Sequence, residues 1–303
     1  TWIPKSFLIL LTYSPFMKLF TTSQIKRLDA YTIEHEPISS INLMERASGR
    51  IVDWLLKFFT GHVPIKIVAG AGNNGGDALA VARLLCICGY EVEVFLLNPD
   101  NKLSNDCQTN KNRLLEQDKA IFNEIRTSAD FPIIGSDDWV IDGLFGSGLN
   151  RPLEGLYADI VKHINRSSCK VISIDIPSGL FGEDNSKNNP EAIIQADYTL
   201  SLQFPKIAFL LPENEKYVGK WEVLDIELHP EGLRNTNTTF YLTEKTTVIP
   251  FLKTRNNFSH KGTYGHALFV GGSYGKMGAA ILAAKACLRT GVGLLSVYTP
   301  QCG

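Results

Sequence analysis

Three short, glycine-bearing stretches carry aspartates in settings suited to proton transfer. They are Asn73-Asn74-Gly75-Gly76-Asp77, Asp142-Gly143-Leu144-Phe145-Gly146-Ser147-Gly148 and Asp175-Ile176-Pro177-Ser178-Gly179. A positioned carboxylate can take up or return a proton during reaction. Two carboxylates beside the Asn74 amide and the Ser178 hydroxyl also supply the oxygen donors that a hard cation prefers, and near such a cation they stay ionised. Gly70, Gly72, Gly75 and Gly76 add access, because a residue without a Cβ lets a ligand approach the backbone. Each aspartate taken singly has a plain structural reading as well, since aspartates at strand ends cap turns and helices.

For these loops to meet, the segments before them must be parallel strands. Residues 65–69 form an apolar, β-branched run between Pro64 and Gly70, the mark of a buried strand, and an apolar helix is expected from Asp77. Residues 91–97, 139–144, 170–174, 198–202 and 221–226 read as further strands, with a polar helix over 103–117 and another helix over 153–164 between them. Two helices precede the first strand, one capped by Thr21 or Thr22 and ended by Pro37, the other started by Ser39 or Ser40. This alternation predicts an α/β fold, a doubly wound, mostly parallel sheet of Rossmann-like type with helices on both faces. Ligands of such sheets bind outside the carboxyl ends of the strands, where the three loops converge.

The main domain is expected over residues 17–250. Residues 1–16 precede Met17, the first methionine, and are expected to stand outside the fold; their apolar run from Phe7 to Leu11 is too short for a secretion signal. Beyond residue 250 the pattern changes to a loop, a strand over 267–270, the glycine turn Gly271-Gly272-Ser273-Tyr274-Gly275, a helix from Met277 and a strand from Leu294. Residues 251–303 therefore read as the start of a second domain, too short to bury a core alone. The formal net charge of −1 gives no reason to expect nucleic acid or a membrane surface as partner. Six scattered cysteines without zinc-type spacing suit a reduced, cytoplasmic protein.

Several familiar chemistries fail on detail. Gly70-x-Gly72-x-x-Gly75 matches the dinucleotide fingerprint of a dehydrogenase, but Asp77 would set a negative charge at the helix start against a pyrophosphate. Glu91 and Glu93 lie at the wrong end of the second strand to hold a ribose. GGSYGKM, from Gly271 to Met277, has one residue too few for a phosphate loop and a methionine where a hydroxyl should hold magnesium. No paired Cys and His supports covalent acyl transfer.

Taken together and in order, the three stretches resemble the NAD(P)H-hydrate epimerase family, over about residues 20–242. Residues 255–303, with His260-Lys261-Gly262-x-x-Gly265 and Val270-Gly271-Gly272-Ser273, are similar to the opening of the ADP-dependent NAD(P)H-hydrate dehydratase domain, which is ribokinase-like in that family. The resemblance implies a bifunctional nicotinamide nucleotide repair enzyme acting on hydrated NADH or NADPH and interconverting the R and S forms at the hydrated carbon. It places the substrate on Asn73, Asn74, Gly75, Gly76, Asp77, Gly146, Ser147, Gly148, Leu149, Asn150, Arg151, Pro152, Tyr157 and Asp175. It places a potassium ion on Asn74, Asp142 and Ser178, and leaves Asp142 and Asp175 as alternative acid–base groups. ADP or ATP is implied only for the dehydratase part, whose catalytic aspartate in the family lies in a later motif, so epimerisation is the activity expected of residues 1–303. A homo-oligomer is left open, and a non-catalytic nucleotide-binding module is the rival reading. Gly143 stands where the family more often has alanine, a change expected to leave the site unaffected.

Overall fold

The computed structural model describes residues 17–61, 63–252 and 254–301, so the expectation for residues 1–16 lies outside the described residues. The chain divides into two units, one ending at Leu242 and one beginning at Thr243.

In the first unit, β2 (Ile65–Ala69), β3 (Val92–Leu97), β4 (Ile121–Ile125), β5 (Trp139–Gly143), β6 (Lys170–Ile174), β7 (Tyr198–Leu202) and β8 (Lys220–Leu224) form one parallel sheet in the order β4-β3-β2-β5-β6-β7-β8. Successive side chains of a strand point to opposite faces, and the sequence uses this to build two cores. Ile65, Ile67 and Ala69 of β2, Val94 and Leu96 of β3, Ile141 of β5 and Ile172 of β6 belong to one apolar cluster. Val68, Phe95, Leu97, Val140 and Val171 belong to the other. Helices α2 (Ser40–Phe58) and α3 (Asn73–Ile87) cover the first face through Ile51, Leu55, Leu79 and Leu85, and α5 (Gly155–Arg166) covers the second through Ile160, Val161 and Ile164. The first helix, α1 (Thr22–His35), is capped at Thr21 by a reciprocal pair, in which the Thr21 hydroxyl accepts from the Gln24 N–H and the Gln24 amide oxygen accepts from the Thr21 N–H. Ser39 caps α2.

The order runs outward from β2 to β4 and then returns to β5, so neighbouring chains leave β2 and β5 in opposite directions. A crevice opens at such a reversal. Register fixes what faces it: Val68 lies beside Asp142, and Asp142 beside Ser173.

Three local expectations are corrected. The helix after β2 begins at Asn73 rather than Asp77, so Asn73 to Gly76 form its first turn instead of a loop. That turn is buried against its surroundings, and small residues tolerate the contact. The edge strand β4 escapes the periodicity because its sequence, IFNEI, is mixed and only half-buried. A separate antiparallel pair, β1 (Met17–Leu19) with β9 (Phe240–Leu242), joins the two ends of the first unit.

In the second unit, β10 (His266–Val270) and β11 (Leu294–Tyr298) are parallel and connected through α6 (Met277–Thr290), a single βαβ crossover.

Candidate functional site

A cavity of about 930 Å³ lies at the crevice between β2 and β5, large enough for a dinucleotide. Asn73, Asn74 and Asp77 of α3, Gly146 to Arg151 of the loop after β5, Tyr157 of α5 and Asp175 after β6 line it. Of the expected substrate set, Gly75, Gly76 and Pro152 are not on its wall. Gly75 and Gly76 instead serve packing. A Cβ on Gly75 would stand 1.7 Å from the Gly70 carbonyl oxygen, and one on Gly76 would stand 2.9 Å from the Met44 sulfur.

Asp142 and Asp175, alike in sequence, differ in environment. Asp142 is 0 % exposed and its oxygens are fully engaged. Its Oδ1 accepts from the Ser178 hydroxyl at 2.5 Å and the Leu144 N–H at 3.2 Å, and its Oδ2 from the Ser173 hydroxyl at 2.8 Å and the Ser178 N–H at 2.9 Å. Burial raises its pKa, and the Ser178, Ser173 and Leu144 donors oppose that rise. It stands behind the cavity wall rather than on it.

Asp175 is on the wall. Burial alone would raise its pKa, but the Lys206 ammonium 2.6 Å away, with the Ser147 N–H at 3.3 Å, holds the carboxyl below the ordinary range and therefore ionised at neutral pH. Its backbone has φ 67° and closes a three-residue turn in which the Ile176 N–H donates to the Ile174 carbonyl at 2.8 Å. Gln203, at the end of the adjacent β7, repeats the arrangement with φ 62° and a Phe204 N–H to Leu202 carbonyl bond of 2.7 Å. Turns of this hand are uncommon for residues with a side chain and cost free energy. Both residues they present line the cavity.

Lys206 is 1 % exposed. Its Nζ donates to the Ser201 hydroxyl at 3.0 Å and the Phe204 carbonyl at 3.2 Å besides pairing with Asp175. A buried lysine needs such partners. Four further carboxyls line the cavity, those of Asp29, Asp77, Glu183 and Asp184, and burial raises the pKa of the first two. Burial, then repulsion from Asp175 and Asp29, lifts the Asp77 pKa well above the carboxylate range. Burial, then repulsion from Asp175, pushes Asp29 of α1 up to about 6 against the pull of Lys206. The rise at Asp77 disfavours its charged form and so weakens the repulsion of an anionic ligand expected from it.

The chain matches the family model described as YjeF-related protein N-terminus over residues 40–208. It is 32% identical over 205 residues to an NAD(P)H-hydrate epimerase of Limosilactobacillus fermentum, a match covering 68% of this chain and 95% of that one. The chain belongs to the YjeF-related protein N-terminus family. It is also 35% identical to a bifunctional NAD(P)H-hydrate repair enzyme of Thermofilum pendens over 285 residues, and 33% to one of Moorella thermoacetica over 292 residues. Those matches cover 93% and 94% of this chain but 53% and 54% of the relatives, so the chain spans about half their length. A crystal structure of the yeast protein YNL200c shares the fold, with a TM-score of 0.56 and 21% identity over 68% of this chain and 87% of that one.

Within this YjeF-type site, Asn73, Asn74, Asp77, Gly146 to Arg151, Tyr157 and Asp175 come together as the sequence anticipates. Asp29, Lys206 and Gln203 were missed. Lys206 did leave a signal, since a lysine inside Phe204-Pro205-Lys206-Ile207-Ala208-Phe209 either breaks an apolar run or is buried with a partner. Asp29 left none, because one acid on an amphipathic helix looks like solvated surface. The glycine at position 143 has a steric reason in this YjeF-type domain: a Cβ there would stand 2.4 Å from the Ala78 Cβ, so α3 lies closer to β5 than alanine would permit.

The raised Asp29 pKa carries a stability consequence. The folded state keeps the proton to higher pH than the unfolded chain, so the stability this group contributes is present below pH about 4 and is lost as pH rises through about 6. Asp29→Asn, which mimics the protonated form, should match the wild type in stability near pH 4. By pH 8 it should exceed it by on the order of 3 kcal/mol, at about 1.4 kcal/mol per pKa unit. Paired urea unfolding at the two pH values checks this; equal midpoints at pH 8 would show that Asp29 carries no penalty.

Proposed function

We propose that this chain is an NAD(P)H-hydrate epimerase, interconverting the R and S forms of hydrated NADH or NADPH. The observation that carries the reading is the ionised, lysine-paired Asp175 on the wall of a dinucleotide-sized cavity at the β2/β5 crevice. The names of the relatives agree with it. The hydrated ring carbon bears a hydroxyl and the ring nitrogen, so its C–O bond can break with help from an acid and from the nitrogen lone pair. Water then returns to the other face and gives its proton to a carboxylate. Asp175 is the acid–base group in this reading. Asp142, out of reach behind the wall, shapes the loop through Ser178 and Leu144. The pre-existing charge of Asp175 suits a substrate that becomes cationic as the hydroxyl leaves.

The residues fit a potassium ion. The Asp142 carboxylate, the Ser178 hydroxyl and the Phe145 carbonyl, 3.2 Å from that hydroxyl, are hard oxygen donors gathered at one point. The Asn74 amide nitrogen is buried without a partner, and exchanging the two ends of that amide puts an acceptor in its place. Asn74, Asp142 and Ser178 would hold the ion, which when bound supplies positive charge that steadies the loops after β5 and β6.

Residues from Thr243 onward form, in this reading, the start of the dehydratase half, the part that would use ADP or ATP. Matches over 93–94% of the chain with bifunctional relatives favour this. No helix among the described residues is long and apolar enough to cross a membrane, and the cysteines among the described residues are free, as suits a cytoplasmic setting.

Chromatography of the two epimers tests the assignment. Wild type should interconvert them, faster in potassium than in lithium salts, and Asp175→Asn should be far slower than Asp142→Asn at matched folded fraction. Full rate in both variants overturns the acid–base assignment; no interconversion by wild type overturns the function.

A further inference from the structure

We propose that Asp29 is a second catalytic acid–base group, serving one face of the hydrated carbon while Asp175 serves the other. This rests on the epimerase reading above and adds to it a residue that no sequence motif marks.

Helix α1 supplies a wall of its own to the cavity. Thr22, Ile25, Lys26 and Asp29 line it, at positions three and four apart and therefore on one helical face. Asp175 comes from a different element, the end of β6. Inversion at a carbon through a planar cation requires departure from one face and return to the other, and a single carboxyl held on one wall reaches one face. Asp175 is held firmly, by Lys206, Ser147 and its own turn.

The other carboxyls are unsuited: of those on the wall, Glu183 accepts from the Thr22 N–H and hydroxyl, and Asp184 from the Ser186 N–H and hydroxyl. Asp142 is off the wall with four donors on its oxygens. Burial and the neighbouring Asp175 raise the Asp77 pKa, which disfavours its giving up a proton. Asp29 lines the cavity with no hydrogen bond or ion pair to its side chain among the described residues, and its pKa near 6 lets it give and regain a proton at working pH. The charged groups that act on it are Asp175, which raises that value, and Lys206, which lowers it; it in turn raises Asp77.

The step balances. Protonated Asp29 gives its proton to the hydroxyl on its face; the C–O bond breaks with its electron pair, water leaves, and the nitrogen lone pair forms the C=N bond of an iminium. Water adds from the Asp175 side, its oxygen pair forming the new C–O bond, the π pair returning to nitrogen and its proton passing to Asp175. The enzyme is left with Asp29 ionised and Asp175 protonated, the arrangement required for the opposite epimer.

Pure R and pure S epimers, incubated separately in ¹⁸O-water with the full 303-residue chain, distinguish two groups from one. Wild type should take up label and invert from either epimer. Asp29→Asn, isosteric with the native residue, should invert about 10²–10⁴-fold more slowly in both directions. It should still exchange label with retained configuration in one epimer only, the one whose hydroxyl faces Asp175. Asp175→Asn should leave such retained exchange on the opposite epimer. Undiminished inversion by Asp29→Asn overturns the proposal, as does a variant in which exchange and inversion fall together for both epimers. Both outcomes leave the epimerase reading standing, whereas failure of wild type to invert either epimer overturns both.

Discussion

Asp175→Asn should slow epimerisation by about 10²–10⁴-fold and destabilise the protein by about 3–5 kcal/mol. The kinetic loss follows from the loss of the acid–base group. The stability loss has another origin. Lys206 is 1 % exposed, and its compensation for leaving water is the Asp175 carboxylate at 2.6 Å. An asparagine leaves the ammonium buried without a counter-charge, a far larger cost than the net worth of the pair. Lys206→Met in the Asp175→Asn background should therefore recover most of the urea midpoint and none of the rate. Lys206→Met alone should leave Asp175 buried without its cation, so its pKa rises and activity weakens on the acid side. The combination separates charge compensation from catalysis: a double variant that remains as unstable as Asp175→Asn would show that the ion pair is not the source of the loss.

Gly75→Ala should cost 4 kcal/mol or more, or prevent folding, while Gly72→Ala three residues earlier should change stability by less than about 0.5 kcal/mol. The two glycines look equivalent in the sequence, and neither has a positive φ. Their surroundings differ. The Cβ of an alanine at 75 would lie 1.7 Å from the Gly70 carbonyl oxygen, a backbone atom that cannot yield without moving β2 or the first turn of α3. At Gly72 nothing lies within 4 Å. Gly72 lines the cavity, so its alanine variant should act on KM more than on stability. Thermal unfolding of both variants in parallel checks the contrast, and similar melting points would show that the first turn of α3 can shift.

The cost of these arrangements falls on one small region. The helix start lies under the loop after β5, two positive-φ turns end β6 and β7, and several ionisable side chains share one cavity. Such crowding destabilises, and it persists where a site requires it. The broad cores on both faces of the sheet, built from complete β-branched and leucine layers, supply the stability that offsets it.

Much of this was legible along the chain. Short, mainly apolar and β-branched runs placed the strands at 65–69, 170–174 and 198–202, because a strand buried on both faces carries few charged side chains. Edge strand β4, half in water, left no such mark. Asn73, Asn74, Asp77, the 146–151 loop and Asp175 were identifiable because their spacing after those strands puts them at one end of the sheet. The difference between Asp142 and Asp175 was not, since a carboxylate's role depends on what surrounds it. Four hydrogen-bond donors enclose one, and a lysine thirty-one residues further along the chain meets the other.

By itself, then, the sequence determined the alternation of elements, the strand ends that carry chemistry and the family. Those depend on local periodicity and on motifs contiguous in the chain. Tertiary structure alone decided which carboxyl has its pKa lowered and which have it raised, because pKa depends on burial and on charges brought together from α1, α3, β6 and the segment after β7. It also decided that Asp29 of the first helix faces the same cavity as Asp175, a juxtaposition across 146 residues that no local pattern encodes.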